Sequence, residues 1–142
     1  MSAPAEKKAT PVWVRVVLWG LAYAVIGTVT AALSRGATSA ELRRIWRLAA
    51  WVLSLGVFAA SFSDERSRAG GAPVTTAIRA ALGVAVGAFL LAAWAMGHSL
   101  SAGADRVGAY LVALAAWPCL VGVPAFLVAW LAAVLFRRTK IT

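Results

Sequence analysis

The chain has 142 residues, of which 62% are hydrophobic and 13% are charged, and its formal net charge is +9 at pH 7. A soluble domain contains about 45–50% apolar and about 25% charged residues, and at this size it buries only about 68–70% of its accessible area. The composition therefore excludes a water-soluble globular fold and places most of the chain in lipid.

Four apolar runs follow one another along the chain, at residues 12–33, 45–62, 78–97 and 108–136. A hydrocarbon core of ~30 Å requires about 20 residues of helix, so each run is long enough to cross or nearly cross a bilayer. The runs are apolar on every face, whereas barrel strands would alternate apolar and polar residues. Helices also satisfy their backbone groups without water. We therefore expect an all-α integral membrane protein with a four-helix bundle.

The fourth run is longer than a bilayer requires. Residues 110–136 alone would extend roughly 40 Å at about 1.5 Å per residue, so this helix must tilt, bend or protrude. Pro118 and Pro124 lie within it. Each proline removes a backbone donor and clashes with the preceding turn. The sequence therefore predicts a long, Pro-kinked fourth helix.

The segments outside the runs predict the orientation. Residues 1–11 are polar and contain proline, which is typical of a flexible N-terminus, and residues 137–142 form a basic tail. The side that carries both termini has nine Lys and Arg residues against five on the other side. This excess predicts cytoplasmic termini, and the Ala-, Gly- and Arg-rich composition favours a bacterial inner membrane.

Small residues recur every four positions on several helices. The first helix has Gly20, Ala24 and Thr28, and the third has Gly83 and Gly87. The second helix repeats the spacing at Gly56 and Ala60. Such residues let helix backbones approach closely, so that dispersion stabilises the contact. The pattern predicts either internal packing of the bundle or docking onto another membrane protein.

Basic clusters border two of the runs, with Arg43, Arg44 and Arg47 at the start of the second and Arg137 and Arg138 after the fourth. Arginines beside a membrane span attract anionic lipid phosphates or an acidic partner, although a solvated helix entry would have the same composition. Because the cations surround apolar runs and form no water-facing basic groove, nucleic-acid binding is not predicted.

His98 is the single histidine and lies near the end of the third run. One imidazole can supply one axial bond to a haem or bind the magnesium of a pigment, or it can simply cap a helix at the interface. Four tryptophans lie deeper in the runs, where an indole either anchors and fills space or stacks on a pigment or quinone: Trp19, Trp51, Trp117 and Trp130. A cofactor is therefore an alternative and not a prediction.

Reactive groups are sparse in this sequence. No Asp, Glu or His lies in the middle of a run, where an ion-coupled transporter normally keeps one. Asp64 and Glu65 follow the second run, and Asp64 is spaced to pair with Arg68 one turn later. No phosphate-binding loop, nucleophile elbow or zinc motif appears, and Cys119 stands alone. We predict no catalytic residue and no metal ligand.

The leading functional hypothesis is a non-enzymatic accessory or scaffold subunit of a membrane-protein complex. It would pack against other subunits through small-residue helix faces and bind anionic lipid through its basic flanks. Two alternatives stay open: a small oligomeric transporter or channel, and a pigment-, haem- or quinone-contacting subunit that uses His98 or the deep tryptophans.

Overall fold

A computed structural model describes residues 10–70, 72–103 and 107–138, without the side chain of Arg138. These residues form four α-helices and no strand: α1 (Val12–Arg35), α2 (Ala40–Arg68), α3 (Pro73–Ser101) and α4 (Val107–Arg138). All four are long and apolar enough to cross a membrane. The predicted all-α four-helix membrane bundle is confirmed. Most of the predicted N-terminal segment 1–11 and of the basic tail 137–142 lies outside the described residues.

The helices extend beyond the apolar runs from which they were predicted. α2 begins at Ala40, where the hydroxyl of Ser39 accepts a hydrogen bond from the backbone N–H of Leu42 at 3.1 Å. It ends at Arg68, six residues past the apolar run. α3 begins with Pro73 at a first-turn position, where the missing proline N–H costs nothing. These polar end turns continue the helices past the hydrocarbon and bring charged side chains together.

α4 is continuous over 32 residues, and both Pro118 and Pro124 lie inside it. At about 1.5 Å per residue it extends roughly 48 Å, well beyond a hydrocarbon core of ~30 Å. The predicted kink at these prolines stays a prediction.

α3 is the central helix, since it packs against α1, α2 and α4. Its buried residues all lie between Thr76 and Ala88, in the N-terminal half of the helix. The hydrophobic core lies in the same half, where Phe62 of α2 packs with four alanines of α3 and α4: Ala77, Ala80, Ala129 and Ala133. We call this end of the bundle, where α1 begins and α4 ends, the terminal side.

Glycines allow α1 and α3 to approach closely. A Cβ atom added to Gly20 would lie 2.6 Å from Val86 Cγ1 and 3.1 Å from the carbonyl oxygen of Gly83. A Cβ atom added to Gly87 would lie 2.7 Å from Tyr23 Cβ and 2.8 Å from the carbonyl oxygen of Gly20. At Gly87 the backbone of α1 is therefore too close for a larger residue, and at Gly20 a larger residue would displace the side chain of Val86.

Candidate functional site

A buried ion cluster lies on the terminal side of the bundle. The side chain of Glu65, in the last turn of α2, is 1% exposed. Arg15 of α1 donates from Nε to Oε1 at 2.9 Å and from Nη2 to Oε2 at 3.1 Å, which is the two-pronged geometry of a strong charge-assisted pair. Arg79 of α3 places Nη1 3.5 Å from Oε2. One carboxylate thus connects three helices.

Asp64 extends the cluster toward the surface. Its Oδ1 accepts a hydrogen bond from Arg68 Nε at 2.8 Å, and its Oδ2 lies 3.8 Å from Arg15 Nε. The pairing of Asp64 with Arg68 expected from their spacing is present. The ion cluster therefore consists of Arg15, Asp64, Glu65, Arg68 and Arg79, with three guanidinium groups against two carboxylates.

The cluster satisfies its buried polar atoms from within the chain. Arg15 is also nearly buried, and its Nη1 donates to the carbonyl oxygen of Thr10 at 3.4 Å. Within the described ranges, no buried side-chain nitrogen or oxygen lacks a hydrogen-bond partner. A buried ion costs much free energy unless it is paired and hydrogen-bonded, and here both oxygens of Glu65 are occupied by arginine. The arrangement fits a structural link between helices.

A groove of about 680 Å³ opens beside the ion cluster, between the end of α2, the start of α3 and the end of α4. We call it the terminal groove. It combines cationic, hydroxyl and apolar side chains from the three helices: Arg66, Arg137, Ser63, Ser67, Thr76, Pro73, Ala133 and Phe136. A surface with cations beside apolar groups can hold an amphipathic anion.

Arg66 forms the side of the terminal groove and connects α2 to α4. Its guanidinium carbon lies 4.5 Å from the centroid of the Phe136 ring, and its Nη2 donates to the Phe136 carbonyl oxygen at 3.3 Å. A guanidinium over an aromatic face is a favourable cation–π contact. Arg137 follows on α4 and is exposed. Neither arginine forms an ion pair with a carboxylate of the described residues.

The hydroxyl groups of the terminal groove differ in what they can donate. Ser67 Oγ donates to the Asp64 carbonyl oxygen at 2.7 Å, and Thr76 Oγ1 donates to the Ala72 carbonyl oxygen at 3.0 Å. Ser63 is exposed at the groove and has no hydrogen bond within the described residues. Arg66, Arg137 and Ser63 are therefore the side chains best able to donate to an anion there.

His98, the candidate cofactor ligand, lies on the opposite side of the bundle. Its ring stacks on that of Trp94, with centroids 5.6 Å apart and planes 5° apart. The guanidinium carbon of Arg35 lies 5.1 Å from the centroid of a Trp94 ring. His98 thus belongs to a stacked group that connects the end of α1 to the end of α3. Within the described residues no group of three or more His, Cys, Asp or Glu could hold a metal ion.

Three of the small residues predicted to pack helices, Gly20, Gly83 and Gly87, lie at the interface of α1 and α3. Ala24 is buried on α1, and Thr28 is half-buried with its hydroxyl donating to the carbonyl oxygen of Ala24 at 3.0 Å. Gly56 on α2 differs, because a Cβ atom added there meets no atom within 4 Å in the described part of the chain.

The predicted basic residues are divided between the two sides. Arg43, Arg44 and Arg47 are exposed on the first turns of α2, far along the helix from the ion cluster. Arg137 lines the terminal groove, and the side chain of Arg138 lies outside the described residues. The structure therefore does not bring the two basic clusters together.

The deep tryptophans do not form a common pocket. Trp51, Trp117 and Trp130 are 72%, 49% and 39% exposed on the outer surface. Trp19 is half-buried and lines a smaller cavity of about 340 Å³ with Arg15 and Asp64. Three of the four indoles therefore face the surroundings of the bundle.

The ion cluster is the feature that sequence reasoning missed. Arg15 and Arg79 belong to the nine basic residues from which the orientation was predicted, and Glu65 was placed after the second run, yet all three meet inside the bundle. The sequence placed all three on the same side of the bundle, since both arginines lie one or two turns inside their helices and Glu65 lies in the last turn of α2. It did not reveal that their side chains meet.

Comparison of the chain with protein-family models, curated proteins and solved structures finds no match.

Proposed function

We propose that this chain is a non-enzymatic accessory or scaffold subunit of a bacterial inner-membrane protein complex. The proposal rests on the low burial of residues 40–60 of α2, which we call the α2 arm. None of its residues is buried, and α2 buries only Ser61, Phe62 and Glu65, near its end. A helix that its own bundle covers so little has a face available to a second membrane protein, and the same holds for α4, of whose described side chains only Ala129 and Ala133 are buried.

The composition of the α2 arm suits contact with another helix. Leu48, Trp51, Val52 and Leu55 are 65%, 72%, 68% and 61% exposed, and Gly56 has open space where a side chain would be. Large side chains beside a small residue give a ridge and a groove into which a neighbouring helix packs, and in lipid that packing is driven by dispersion.

The rest of the bundle supports the role of a rigid scaffold. The ion cluster fixes α1, α2 and α3 on the terminal side, and the glycine contacts hold α1 against α3. The α2 arm therefore extends from a fixed base and can present one orientation to a partner. Its exposed Arg43, Arg44 and Arg47 would contact an acidic segment of that partner, while the basic residues of the terminal side would bind anionic lipid.

Isolation of the tagged chain in native-lipid particles, followed by mass measurement of the intact particles, tests this proposal. We expect a second membrane protein at a fixed ratio, and we expect Gly56→Leu to lower its recovery. Gly97→Leu is the matched control, because Gly97 is an exposed glycine of α3 that also has open space around it. A lone monomer would contradict the proposal.

The same preparation separates the alternatives. An absorption band from a co-purified pigment or haem would favour a cofactor-bearing subunit. Solute flux in liposomes that contain only this chain would favour a transporter or channel.

A further inference from the structure

We propose that the terminal groove binds the phosphodiester headgroup of an anionic phospholipid. This inference deepens the lipid-binding part of the proposed function and rests on the chain lying in a bilayer. It names one site and one class of ligand, and it is independent of which protein contacts the α2 arm.

The charges of the terminal side leave two arginines for a ligand. Five described arginines lie there against two carboxylates, and the ion cluster takes up both carboxylates. Arg66 and Arg137 then face the terminal groove without a carboxylate partner in the described part of the chain. A phosphodiester carries one negative charge and accepts several hydrogen bonds, which arginine donates in a matching geometry.

The position of the groove favours a lipid over a soluble anion. It lies where the last turns of α2 and α4 meet the first turns of α3, at the ends of membrane-spanning helices. Its apolar side chains include Phe136, which is 49% exposed, and Ala133, while Arg66 lies against the Phe136 ring. A phospholipid would place its phosphate at the arginines and its glycerol and first methylenes along these apolar groups.

The groove has a suitable size and donor set for one headgroup. Its volume of about 680 Å³ lies within the ~300–1,000 Å³ range of small-molecule sites. Ser63 adds an exposed hydroxyl beside the two arginines. The groove therefore favours a ligand that carries a net negative phosphate next to an apolar part. A zwitterionic lipid would bind less tightly, because its own cation would repel the arginines.

Native mass spectrometry of the purified full-length chain, titrated with phosphatidylglycerol or with phosphatidylcholine, tests the site. We expect phosphatidylglycerol to bind at least about tenfold more tightly, since two charge-assisted contacts exceed the 1.4 kcal/mol that corresponds to about a factor of ten. Arg66→Gln with Arg137→Gln should remove most of this preference. Arg43→Gln with Arg47→Gln deletes the same charge on the opposite side of the bundle and should retain it.

Two further measurements separate a lipid site from a loss of folding and from binding of free phosphate. Arg137→Gln alone should weaken phosphatidylglycerol binding several-fold without lowering the melting temperature, because Arg137 is exposed and makes no ion pair with the described carboxylates. Inorganic phosphate at millimolar concentration should not displace the lipid. Equal binding of the two lipids, equal losses in the two double variants, or displacement by phosphate would overturn the site. None of these results depends on recovery of a partner protein, so the two proposals fail separately.

Discussion

Arg15 and Glu65 are separated by 50 residues in the chain, yet the Arg15 guanidinium donates to both carboxylate oxygens of Glu65 at 2.9 and 3.1 Å. This pair joins the start of α1 to the end of α2, and Arg79 extends the connection to α3. It fixes the terminal side of the bundle, from which the α2 arm extends and beside which the terminal groove opens.

Glu65→Gln should destabilise the bundle strongly. The substitution keeps the shape of the side chain but leaves the nearly buried Arg15 with only the more distant Asp64, 3.8 Å away, as a countercharge. Breaking one partner of a buried pair costs about 3–5 kcal/mol. Thermal unfolding in detergent, followed by circular dichroism, measures the loss. Asp64→Asn is the control, since Asp64 is 27% exposed and pairs of exposed groups contribute only about 0–1 kcal/mol. Equal losses in the two variants would show that Glu65 is no link between helices.

Gly87→Ala should destabilise the contact between α1 and α3. The added Cβ would lie 2.8 Å from the carbonyl oxygen of Gly20, and overpacking of this kind costs about 1–3 kcal/mol. Gly97→Ala, with open space around it, should be neutral or gain up to about 1 kcal/mol from the better helix propensity of alanine. Unfolding midpoints of the two variants measured side by side check this, and a tolerated Gly87→Ala would be the contrary result.

Phe62→Ala should remove the largest side chain of the core on the terminal side. Phe62 is 8% exposed and packs with alanines of α3 and α4. Truncation of a buried phenylalanine to alanine leaves a cavity and costs about 3–5 kcal/mol. Phe89→Ala, at a residue that is 47% exposed, should cost clearly less. Chemical unfolding in detergent distinguishes the two. If Phe89→Ala proved the more damaging, the core would lie elsewhere.

His98→Phe should leave the bundle as stable as the parent chain. A phenyl ring can keep the stacked contact with Trp94, whereas His98→Ala should lose the roughly 0.5–1.5 kcal/mol of an aromatic pair. Absorption spectra of the purified variants give the second readout. A coloured parent protein that loses its band in His98→Phe would make the histidine a ligand and contradict this stacking role.

Composition and run length were sufficient to predict the fold, because lipid as the solvent leaves helices as the solution for apolar runs of this length. The small-residue spacing predicted close helix contacts, and Gly20 and Gly87 lie at one. The spacing could not distinguish these glycines from Gly56, because it does not reveal which helix lies opposite. An added Cβ atom at Gly56 meets no atom of the described residues within 4 Å.

The ion cluster could not be predicted because its members lie on three helices. Whether Arg15, Glu65 and Arg79 meet depends on how each helix is rotated about its axis, and helices that are apolar all round give no periodic signal of that rotation. The apolar run of the second helix also ends at residue 62, although the helix itself continues to Arg68. The sequence therefore placed Glu65 at the end of the second run, with no contact to another helix expected.

Photocrosslinking in native membranes tests the central claim, that the α2 arm is a docking surface, most directly. A photoreactive amino acid in place of Val52, which is 68% exposed on α2, is compared with one in place of Phe89, which is 47% exposed on the central helix α3. We expect a crosslinked product with a different membrane protein from position 52, and lipid adducts alone from position 89. Lipid adducts alone from both positions would contradict it.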